Sequence, residues 1–441
     1  MIGFVGLSHL GILSSIAAAS KGFEVIAYDP NPALCNDLNN EKLPIYEPDL
    51  DDLLNKSRSN IRFSSNIADL SKCQLIVFST DVKTDENNRS DLSNLMNLID
   101  GTIETGLENT VLVVLSQVHP GFTRQLHSKL NSILQKRNIQ LFYQVETLIF
   151  GRAVERALYP ERFIVGCNDP AEPLPSVYND LLKSFGCPVL PMRYESAELA
   201  KISINCCLVA SVSTANTLAE ICEKIGADWS EIVPALRLDR RIGQYSYITP
   251  GLGISGGNLE RDLHSVLLLA EDHNTDGGVI SSWLNNSKRR KNWPYNILKE
   301  IILNKIPEAS IAVLGLAYKE NTQSTKNSPA LLLIEQLSTC KIKAYDPIVE
   351  ACAVGNLVSR TSSALDAANG ADALAIMTPW PEFRNIVPSD LAVAMRGCTV
   401  IDPYGILDAQ KVRSAGLDYY TLGKPPALAC LMPDDVMEAI C

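Results

Sequence analysis

The sequence predicts an α/β fold in which two doubly wound domains are joined by a long central helix and a helical middle domain. Short apolar runs alternate with helical segments in both halves of the chain, as in parallel sheets that are covered on both faces. A strand followed by a glycine occurs near each end, and an apolar helical pattern of nearly thirty residues separates the two. Two sheets and a helical middle follow from these observations.

Composition limits the class of protein. The chain has 441 residues, of which 46% are apolar and 20% charged, so it can form a large core and is neither disordered nor collagen-like. The formal net charge of −11 argues against a general partner of nucleic acids or anionic membranes. The 12 cysteines contain neither a C-x-x-C pair nor zinc-ligand spacing. We therefore expect no metal site, and reduced thiols in a cytoplasmic protein.

The N-terminal element is a strand–turn–helix–strand unit. The apolar run Ile2–Gly6 leads into a glycine turn and an alanine-rich stretch, and a second apolar strand, Phe23–Tyr28, ends at Asp29. This order is that of a βαβ unit with a right-handed crossover. Met1–Ser20 lacks the basic start of a secretory signal, so we interpret it as strand, turn and helix. Further strands are predicted at Leu75–Ser79, Thr110–Leu115 and Phe163–Val165.

The glycine turn predicts a dinucleotide site. Gly6-x-Ser8-x-x-Gly11 is a G-x-G-x-x-G motif whose middle glycine is replaced, and its outer glycines permit a tight turn and close helix–strand packing. Ser8 lies where the backbone must approach a phosphate, so its side chain is expected to crowd that phosphate or to donate to it. Asp29 can accept both ribose hydroxyls and would repel a 2′-phosphate, which favours NAD over NADP. The predicted cofactor-binding residues are Gly6, Ser8, Leu10, Gly11, Asp29, Thr80 and Gln117.

The middle of the chain and its C-terminal third add a long helix and a second copy of the first unit. Apolar residues recur at helical spacing through Glu195–Glu223 without proline or glycine, as in a helix that joins two domains. The run Ile311–Leu316 again contains a glycine, and the strand that follows ends in Tyr345-Asp346-Pro347, like Tyr28-Asp29-Pro30. Two Rossmann-like domains are therefore predicted.

Three domains are predicted on this basis: an NAD-binding domain at 1–190, a helical central domain at 191–293 and a C-terminal Rossmann-like domain at 294–441. The basic run Lys288–Lys291 lies near the second boundary. We expect it to be a solvated helix face or a hinge, without a functional role.

Motifs spread over nearly the whole chain carry a family resemblance. They are, in order, Pro44-Ile-Tyr-Glu-Pro48, Ala197-Glu-Leu-Ala-Lys201-x-x-x-Asn205, Leu238-Asp-Arg-Arg241-Ile-Gly243, Pro250-Gly-Leu-Gly253-Ile-Ser-Gly256-Gly257, Gly315-Leu-Ala-Tyr-Lys319 and Thr378-Pro-Trp380-Pro-Glu-Phe-Arg384. In these motifs the chain resembles the UDP-glucose/GDP-mannose dehydrogenase family. The resemblance implies NAD in the first domain, a nucleotide-sugar substrate between the domains, and a homodimer built on the long helix.

The family oxidises the C6 alcohol of a sugar twice, and the resemblance implies that the residues of the first oxidation are present. Lys201 and Asn205 stand four residues apart on one helical face. The ammonium can stabilise a developing alkoxide, and the amide can orient it. Asp262 matches the family's aspartate, which helps to remove the hydroxyl proton through a water molecule.

The residues of the second oxidation are altered. In the family a cysteine captures the aldehyde as a thiohemiacetal, which is oxidised to a thioester and hydrolysed to the uronate. The matching residue here is Asn258, whose carboxamide is not a nucleophile. Of two glutamates in the segment implicated in hydrolysis, Glu146 remains and the second is Phe150. The loop whose threonine helps to place the hydrolytic water reads Ser116-Gln117-Val118-His119.

Other thiols are not expected to substitute. Cys206 and Cys207 lie roughly 100° and 200° around the helix from Asn205, and we expect both to pack in the core. The predicted catalytic residues are Lys201, Asn205, Asp262, Glu146 and Asn258, the last in place of the family's cysteine.

The substrate side is altered as well. Arg241 matches an arginine that in the family reaches the sugar of the neighbouring subunit, and Lys319 matches a lysine near the nucleotide sugar. The family's D-G-R-N segment, whose arginine contacts the substrate, reads Asp402-Pro-Tyr404-Gly405. Losing this cation removes a bidentate phosphate partner. The predicted substrate-binding residues are Tyr247, Gly253, Arg241 and Lys319, and UDP-glucose specifically does not follow.

Three functions are compatible with this pattern. The first is an NAD-dependent oxidoreductase that acts on a nucleotide sugar and stops after one hydride transfer. The second is a redox-neutral, epimerase-like enzyme that returns the hydride from retained NAD. The third is a catalytically inactive homologue that binds a ligand or a partner protein.

Overall fold

The computed structural model describes residues 1–84, 90–349 and 358–429, except for the side chains of Thr84 and Asn258. The chain divides into two compact units, Met1–Ile204 and Asn205–Cys441, and each is described by itself. Each unit contains a sheet whose strands alternate with helices, as predicted, and the second unit opens with helices before its first strand at Ser310.

The α-helices are α1 (His9–Ser20), α2 (Pro32–Asn39), α3 (Leu50–Ser57), α4 (Ser93–Glu104), α5 (Phe122–Lys136), α6 (Ala153–Leu158), α7 (Ser176–Lys183), α8 (Tyr194–Ile225), α9 (Trp229–Leu238), α10 (Asn258–Asp272), α11 (Gly278–Lys291), α12 (Trp293–Leu298), α13 (Pro329–Gln336), α14 (Ala364–Ala368), α15 (Pro388–Ala394) and α16 (Ala409–Ser414). Short 3₁₀ helices lie at Arg58–Asn60, Ile67–Lys72 and Pro381–Asn385, and a π-helical turn lies at Lys299–Leu303.

The strands are β1 (Ile2–Val5), β2 (Val25–Tyr28), β3 (Ile61–Ser64), β4 (Leu75–Phe78), β5 (Lys83–Thr84), β6 (Ser90–Asp91), β7 (Val111–Val114), β8 (Gln140–Gln144), β9 (Phe163–Cys167), β10 (Val189–Arg193), β11 (Ser310–Leu314), β12 (Lys341–Tyr345), β13 (Val358–Arg360), β14 (Ala373–Ile376), β15 (Thr399–Ile401) and β16 (Asp418–Tyr420). Strands β5 and β6 form a small antiparallel ribbon.

The sheet of the first unit has eight strands in the order β10-β9-β8-β7-β4-β1-β2-β3. Its centre is parallel and buried on both faces, because every residue of β1, β2, β4 and β7 is buried. The prediction of a parallel sheet is wrong at one place, since β8 and β9 pair in antiparallel fashion. The connection between them contains only the six-residue helix α6, so the chain re-enters the sheet without a parallel crossover.

The sheet of the second unit has six strands in the order β13-β12-β11-β14-β15-β16, and all of its pairs are parallel. This is the strand order of a doubly wound nucleotide-binding sheet. The order reverses between β11 and β14, the point at which such sheets bind their ligands. The predicted second Rossmann-like sheet is therefore confirmed.

The long helix predicted from the apolar pattern is α8, which runs over 32 residues from Tyr194 to Ile225. Among the helices of the described residues it alone is long and apolar enough to cross a membrane, a test that core helices of soluble proteins also pass.

The basic run at the end of α11 is not a solvated face throughout. Arg290 and Lys291 are only 1% and 8% exposed, so the expectation for this run is wrong for two of its four residues. The Arg290 guanidinium contacts the Glu223 carboxylate at 2.9 Å, and Lys291 donates to the Asn327 side chain at 2.9 Å. Partners on other elements therefore allow these charges to be buried.

Candidate functional site

The glycine turn between β1 and α1 has the geometry that its sequence predicts. Gly6 has φ +92°, a conformation that disfavours any side chain, and a Cβ there would lie 2.7 Å from the Thr80 Cβ. A Cβ at Gly11 would overlap the Gly6 carbonyl oxygen. Both glycines are thus required for the turn to pass close to the neighbouring strand end and for α1 to start against it.

Ser8 is the N-cap residue of α1, but its side chain does not hydrogen-bond to the helix. Its hydroxyl accepts from the Asp81 N–H at 2.7 Å and lies 3.4 Å from the Ser79 carbonyl oxygen, to which it donates. It makes no side-chain hydrogen bond to the N–H groups that open α1. These N–H groups and the helix dipole therefore remain available to an anion such as a pyrophosphate.

Asp29 follows β2 and lies at the edge of the same turn. One carboxylate oxygen accepts from the Leu7 N–H at 2.9 Å and the other from the Asn31 N–H at 3.0 Å. The side chain is half-buried, and each oxygen keeps acceptor capacity for a ribose hydroxyl. The turn, the helix start and this acid together fit a dinucleotide without a 2′-phosphate.

The remaining predicted cofactor residues lie around the same strand ends. Leu10 and Thr80 are buried, and the Thr80 hydroxyl accepts from the Asn94 side chain at 3.0 Å. Gln117 is half-buried and lies just beyond β7. Because β1, β4 and β7 are neighbours in the sheet, residues just after these strands come together at its carboxyl edge.

Glu146 lies in the loop after β8. Burial raises the pKa of its carboxyl, and the positive charge of Lys201 partly opposes this effect. The carboxylate also accepts a hydrogen bond from the Leu148 N–H. A carboxyl group whose pKa is raised in this way holds its proton more firmly than an exposed one, which suits a role in proton transfer.

Asn205 and Asp262 form a buried pair in the second unit. The Asn205 amide donates to an Asp262 carboxylate oxygen at 2.6 Å, and the two residues are 7% and 1% exposed. Arg261, itself buried, has its Nε 3.6 Å from the other Asp262 oxygen. Two of the predicted catalytic residues are therefore in direct contact, and a cation lies beside their carboxylate.

Asn258 is the first residue of α10, and its side chain lies outside the described part of the structure. The turn before Asn258 is held in place by contacts with other segments of the chain. Gly253 has φ +77°, and a Cβ there would lie 2.8 Å from the Ser287 Oγ, which accepts from the Ile254 N–H at 2.8 Å. The Gly256 N–H donates to the Lys326 carbonyl oxygen at 3.1 Å.

The other predicted substrate residues are more exposed. The Lys319 ammonium lies 5.7 Å from the Tyr318 ring centroid, and that ring packs against Gly256. Arg241 is bound to its neighbour Asp239 at 2.6 Å, and its side chain is 88% exposed. Tyr247 is 61% exposed and lines a shallow pocket with Arg237 and Tyr245.

The two thiols after Asn205 differ. Cys206 is half-buried, and burial, together with the nearby Asp262 charge, raises its pKa to about 11. Cys207 is exposed, so the expectation of core packing is wrong for it, because it faces away from the buried side of α8. A thiol with a raised pKa is a poor nucleophile at neutral pH.

Two carboxylates that the sequence reasoning missed organise the first unit. Glu198, fully buried on α8, accepts from the Gly121 and Thr123 N–H groups at the start of α5, at 2.6 and 2.8 Å. Glu47 accepts from the His9 ring at 2.8 Å. Both glutamates lie inside motifs that carry the family resemblance, which is the signal that singles them out. Within the described ranges, no group of three or more metal-ligating side chains occurs.

Comparison with known proteins assigns the chain to a family. Residues 1–185 match the NAD binding domain of the UDP-glucose/GDP-mannose dehydrogenase family, residues 195–288 match its central domain, and residues 312–409 match its UDP binding domain. The chain therefore belongs to this family of NAD-dependent nucleotide-sugar dehydrogenases, and NAD is its cofactor. The resemblance read from the motifs is confirmed.

Individual relatives are similar along the whole chain. UDP-glucose 6-dehydrogenase of Rickettsia conorii is 28% identical over 436 residues, which cover 96% of this chain and 99% of the relative. The enzyme of the same name from Caenorhabditis elegans is 28% identical over 462 residues and covers 96% and 95%.

Solved structures share the fold. UDP-glucose dehydrogenase from Pyrobaculum islandicum has a TM-score of 0.83 at 22% identity, covering 96% of this chain and 97% of its own. UDP-D-ManNAc dehydrogenase from Pyrococcus horikoshii has a TM-score of 0.83 at 24% identity, covering 96% and 99%. The two-sheet architecture is thus common to these proteins.

Proposed function

We propose that this protein is an NAD-dependent oxidoreductase that removes one hydride from a nucleotide sugar and releases an aldehyde or ketone. The observation that carries the proposal is the contrast at the start of α10. The buried Asn205–Asp262 pair, which supports the first oxidation, is intact, whereas the sequence has Asn258 in the position of the family's nucleophile.

The first oxidation needs a base, an acceptor of the hydride and a group that stabilises the alkoxide. Bound NAD⁺ supplies the hydride acceptor. We assign Asp262 to receive the hydroxyl proton, directly or through water, because its carboxylate is held in place by the Asn205 amide at 2.6 Å. Lys201, one turn earlier in α8, is the cation that we assign to the developing alkoxide. The carbon loses a hydride and the oxygen loses a proton, which together give the carbonyl.

The second oxidation needs a thiolate and a base for thioester hydrolysis. Position 258 carries a carboxamide, and the pKa of the neighbouring Cys206 is raised to about 11 by burial. The second glutamate of the family's segment is Phe150, which is 43% exposed and has no proton to transfer. These features support a reaction that stops at the first carbonyl product.

The domain limits, the oligomer and the compartment are parts of the same proposal. We keep the division at 1–190, 191–293 and 294–441, and we propose a cytoplasmic homodimer.

Leu218, Ile221 and Ile225 form an apolar stripe on α8 that is 42%, 48% and 66% exposed. A second copy of the chain would cover this stripe. Ile221→Glu is expected to convert the dimer to a monomer in light scattering coupled to size-exclusion chromatography, and an unchanged mass would contradict the assignment.

The function is tested with purified protein, NAD and a panel of nucleotide sugars that includes UDP-glucose and N-acetylated UDP-hexosamines. We expect one NADH per sugar and a carbonyl product that hydroxylamine traps. Two NADH per sugar with a uronate product would refute the proposal. A new sugar isomer without net NADH would favour the redox-neutral enzyme, and absence of any turnover with retained ligand binding would favour the inactive homologue.

A gain-of-nucleophile variant sharpens this test. Asn258→Cys restores the thiol but not the glutamate at 150, so we expect a covalent sugar adduct that forms in the presence of NAD and hydrolyses slowly. Intact-protein mass spectrometry would detect it, with Cys206→Ser in the same background as the matched control. An adduct on the wild-type chain would contradict the proposed role of position 258.

A further inference from the structure

The first residue of α1 is a histidine whose ring is fixed beside the dinucleotide turn. His9 Nε2 lies 2.8 Å from a Glu47 carboxylate oxygen, and the His9 side chain is only 13% exposed. Its own backbone N–H is among those that open α1, where a bound pyrophosphate receives its hydrogen bonds. The ring therefore belongs to a residue at the helix start that faces the anion, and it is largely shielded from bulk solvent.

Glu47 is the negative partner of this ring. Although burial opposes ionisation, hydrogen bonds from His9 and from the Gly151 and Ala153 N–H groups hold the pKa of Glu47 below its ordinary value. An ionised carboxylate accepts only, so His9 Nε2 carries the proton in this contact. The second ring nitrogen, Nδ1, then decides the charge of the imidazole.

Phe150 holds the ring from its other side. The two ring centroids are 4.3 Å apart at an interplanar angle of 40°. Phe150 stands where the family's second glutamate is expected, so the altered hydrolysis segment lies against the dinucleotide turn in this chain. The stack limits the rotation of the imidazole.

We propose that His9 is a further cofactor-binding residue whose imidazolium, held by Glu47 and Phe150, stabilises the pyrophosphate of NAD, so that binding takes up a proton. With the Glu47 carboxylate beside the ring and a pyrophosphate bound at the same helix start, nearby negative charge favours the protonated ring over the neutral one. The proposal rests on NAD as cofactor and is independent of which nucleotide sugar is oxidised.

Other charges near the ring set the expected sign. Glu47 faces it from the loop before α3, and Glu146 interacts with it from the loop after β8. Asp81 and Lys201 act on Glu146 in opposite directions. The carboxylates and the pyrophosphate outnumber the single ammonium, so the bound state favours the protonated ring, and NAD affinity should fall as pH rises.

Calorimetric titration of the protein with NAD, ADP-ribose and adenosine tests the proposal. For the first two ligands we expect binding to weaken about tenfold between about pH 6 and about pH 8. His9→Gln keeps a donor for Glu47, and it should bind NAD with the lower affinity at both pH values. Adenosine, which has no pyrophosphate, should bind independently of pH in both proteins. His127→Gln, on α5, is the matched control and should behave like the wild type.

Titration of the wild type in two buffers of different ionisation enthalpy measures the proton directly. Uptake of part of a proton with NAD near neutral pH, and none with adenosine, would support the proposal without any variant. No uptake, or the same pH dependence in His9→Gln as in the wild type, would overturn it. These outcomes are independent of substrate turnover, so they are distinguishable from a failure of the proposed function.

Discussion

The two sheets start from nearly the same local sequence and use it differently. In the first unit Gly6 is followed within three residues by α1, and Asp29 accepts two backbone N–H groups, from Leu7 and Asn31. In the second unit Gly315, with φ +88°, ends β11 in the same way, but the next helix, α13, begins only at Pro329.

The acid of the second unit has no acceptor capacity to spare. Asp346 is 1% exposed and accepts from the Leu316 and Ala317 N–H groups at 2.6 and 3.1 Å. It also accepts from the N–H groups of Ile348 and Val349 and from the Trp380 indole at 3.1 Å. The difference teaches that the acid of a Tyr-Asp-Pro after a strand can accept from a ribose only where other donors leave its carboxylate with free acceptor capacity.

The largest expected effect comes from the turn that only the first unit has. Gly11→Ala forces a Cβ into the Gly6 carbonyl oxygen, so we expect a loss of about 3 kcal/mol in the free energy of unfolding and loss of NAD binding. Chemical denaturation and calorimetry with NAD measure the two effects. Gly101→Ala, in α4 with an ordinary contact at 3.6 Å, is the control and should be tolerated. NAD binding by Gly11→Ala at wild-type affinity would contradict this account of the turn.

The second-largest effect is expected at Asp346, the buried acid of the second unit. Asp346→Asn replaces an acceptor of five N–H groups by an amide that must present a donor to some of them, so we expect a loss of about 2 kcal/mol in the free energy of unfolding. NAD affinity should not change. Hydrogen bonds to the backbone lower the pKa of Asp346 despite its burial, so its contribution is present above about pH 4 and is lost as pH falls further. Asp366→Asn, on the surface of the same unit, is the control.

Asp29, the counterpart of Asp346 in the first unit, should show the opposite pattern, with a large effect on NAD affinity and a small effect on stability. Asp29→Asn removes the negative charge that we propose lies beside the ribose, so we expect NAD to bind about tenfold more weakly and the discrimination against NADP to decrease. The free energy of unfolding should change by less than about 1 kcal/mol, because the side chain is half-buried and an amide oxygen can still accept from Leu7. Calorimetry with both cofactors is the measurement, with Asp37→Asn on α2 as the control. Equal effects of Asp29→Asn and Asp346→Asn on NAD binding would remove the distinction between the two sheets.

The smallest expected effect concerns Glu146, in the loop after β8 of the first unit. Burial raises the pKa of Glu146, so its carboxyl contributes stability below the unfolded pKa of about 4.3, and that contribution is lost as pH rises through the folded value. The glutamine side chain of the Glu146→Gln variant does not ionise, so its stability has no such pH-dependent loss. The difference in unfolding free energy should therefore shift in favour of the variant between about pH 4 and about pH 8. Glu104→Gln, exposed on α4, should show no such trend, and a parallel pH profile for wild type and Glu146→Gln would contradict the assignment.

Much of the fold was predictable because its signals are local. Apolar runs gave the central strands of the first sheet and β11 of the second to within two residues, whereas β14 was not predicted. The absence of glycine and proline gave α8 nearly at full length. The antiparallel pairing of β8 with β9 was not predictable, since it depends on where the chain re-enters the sheet after a short helix.

The candidate site was predictable in its residue types and less so in its contacts. The motifs named Asn205 and Asp262, and the structure brings them within 2.6 Å. They did not reveal that the Ser8 hydroxyl is engaged by Asp81, or that Arg290 is buried against Glu223. Such partners lie far away in sequence, so their identity depends on packing.

The sequence by itself determined the positions that tolerate no side chain, the acids that follow the strands and the asparagine at position 258, because each depends on the chemistry of one residue or of a short segment. Only the tertiary structure decided which acid is free to meet a ribose. That choice depends on how many donors reach each carboxylate, and a donor such as the Trp380 indole, 34 residues beyond Asp346, arrives there only when the sheet has assembled.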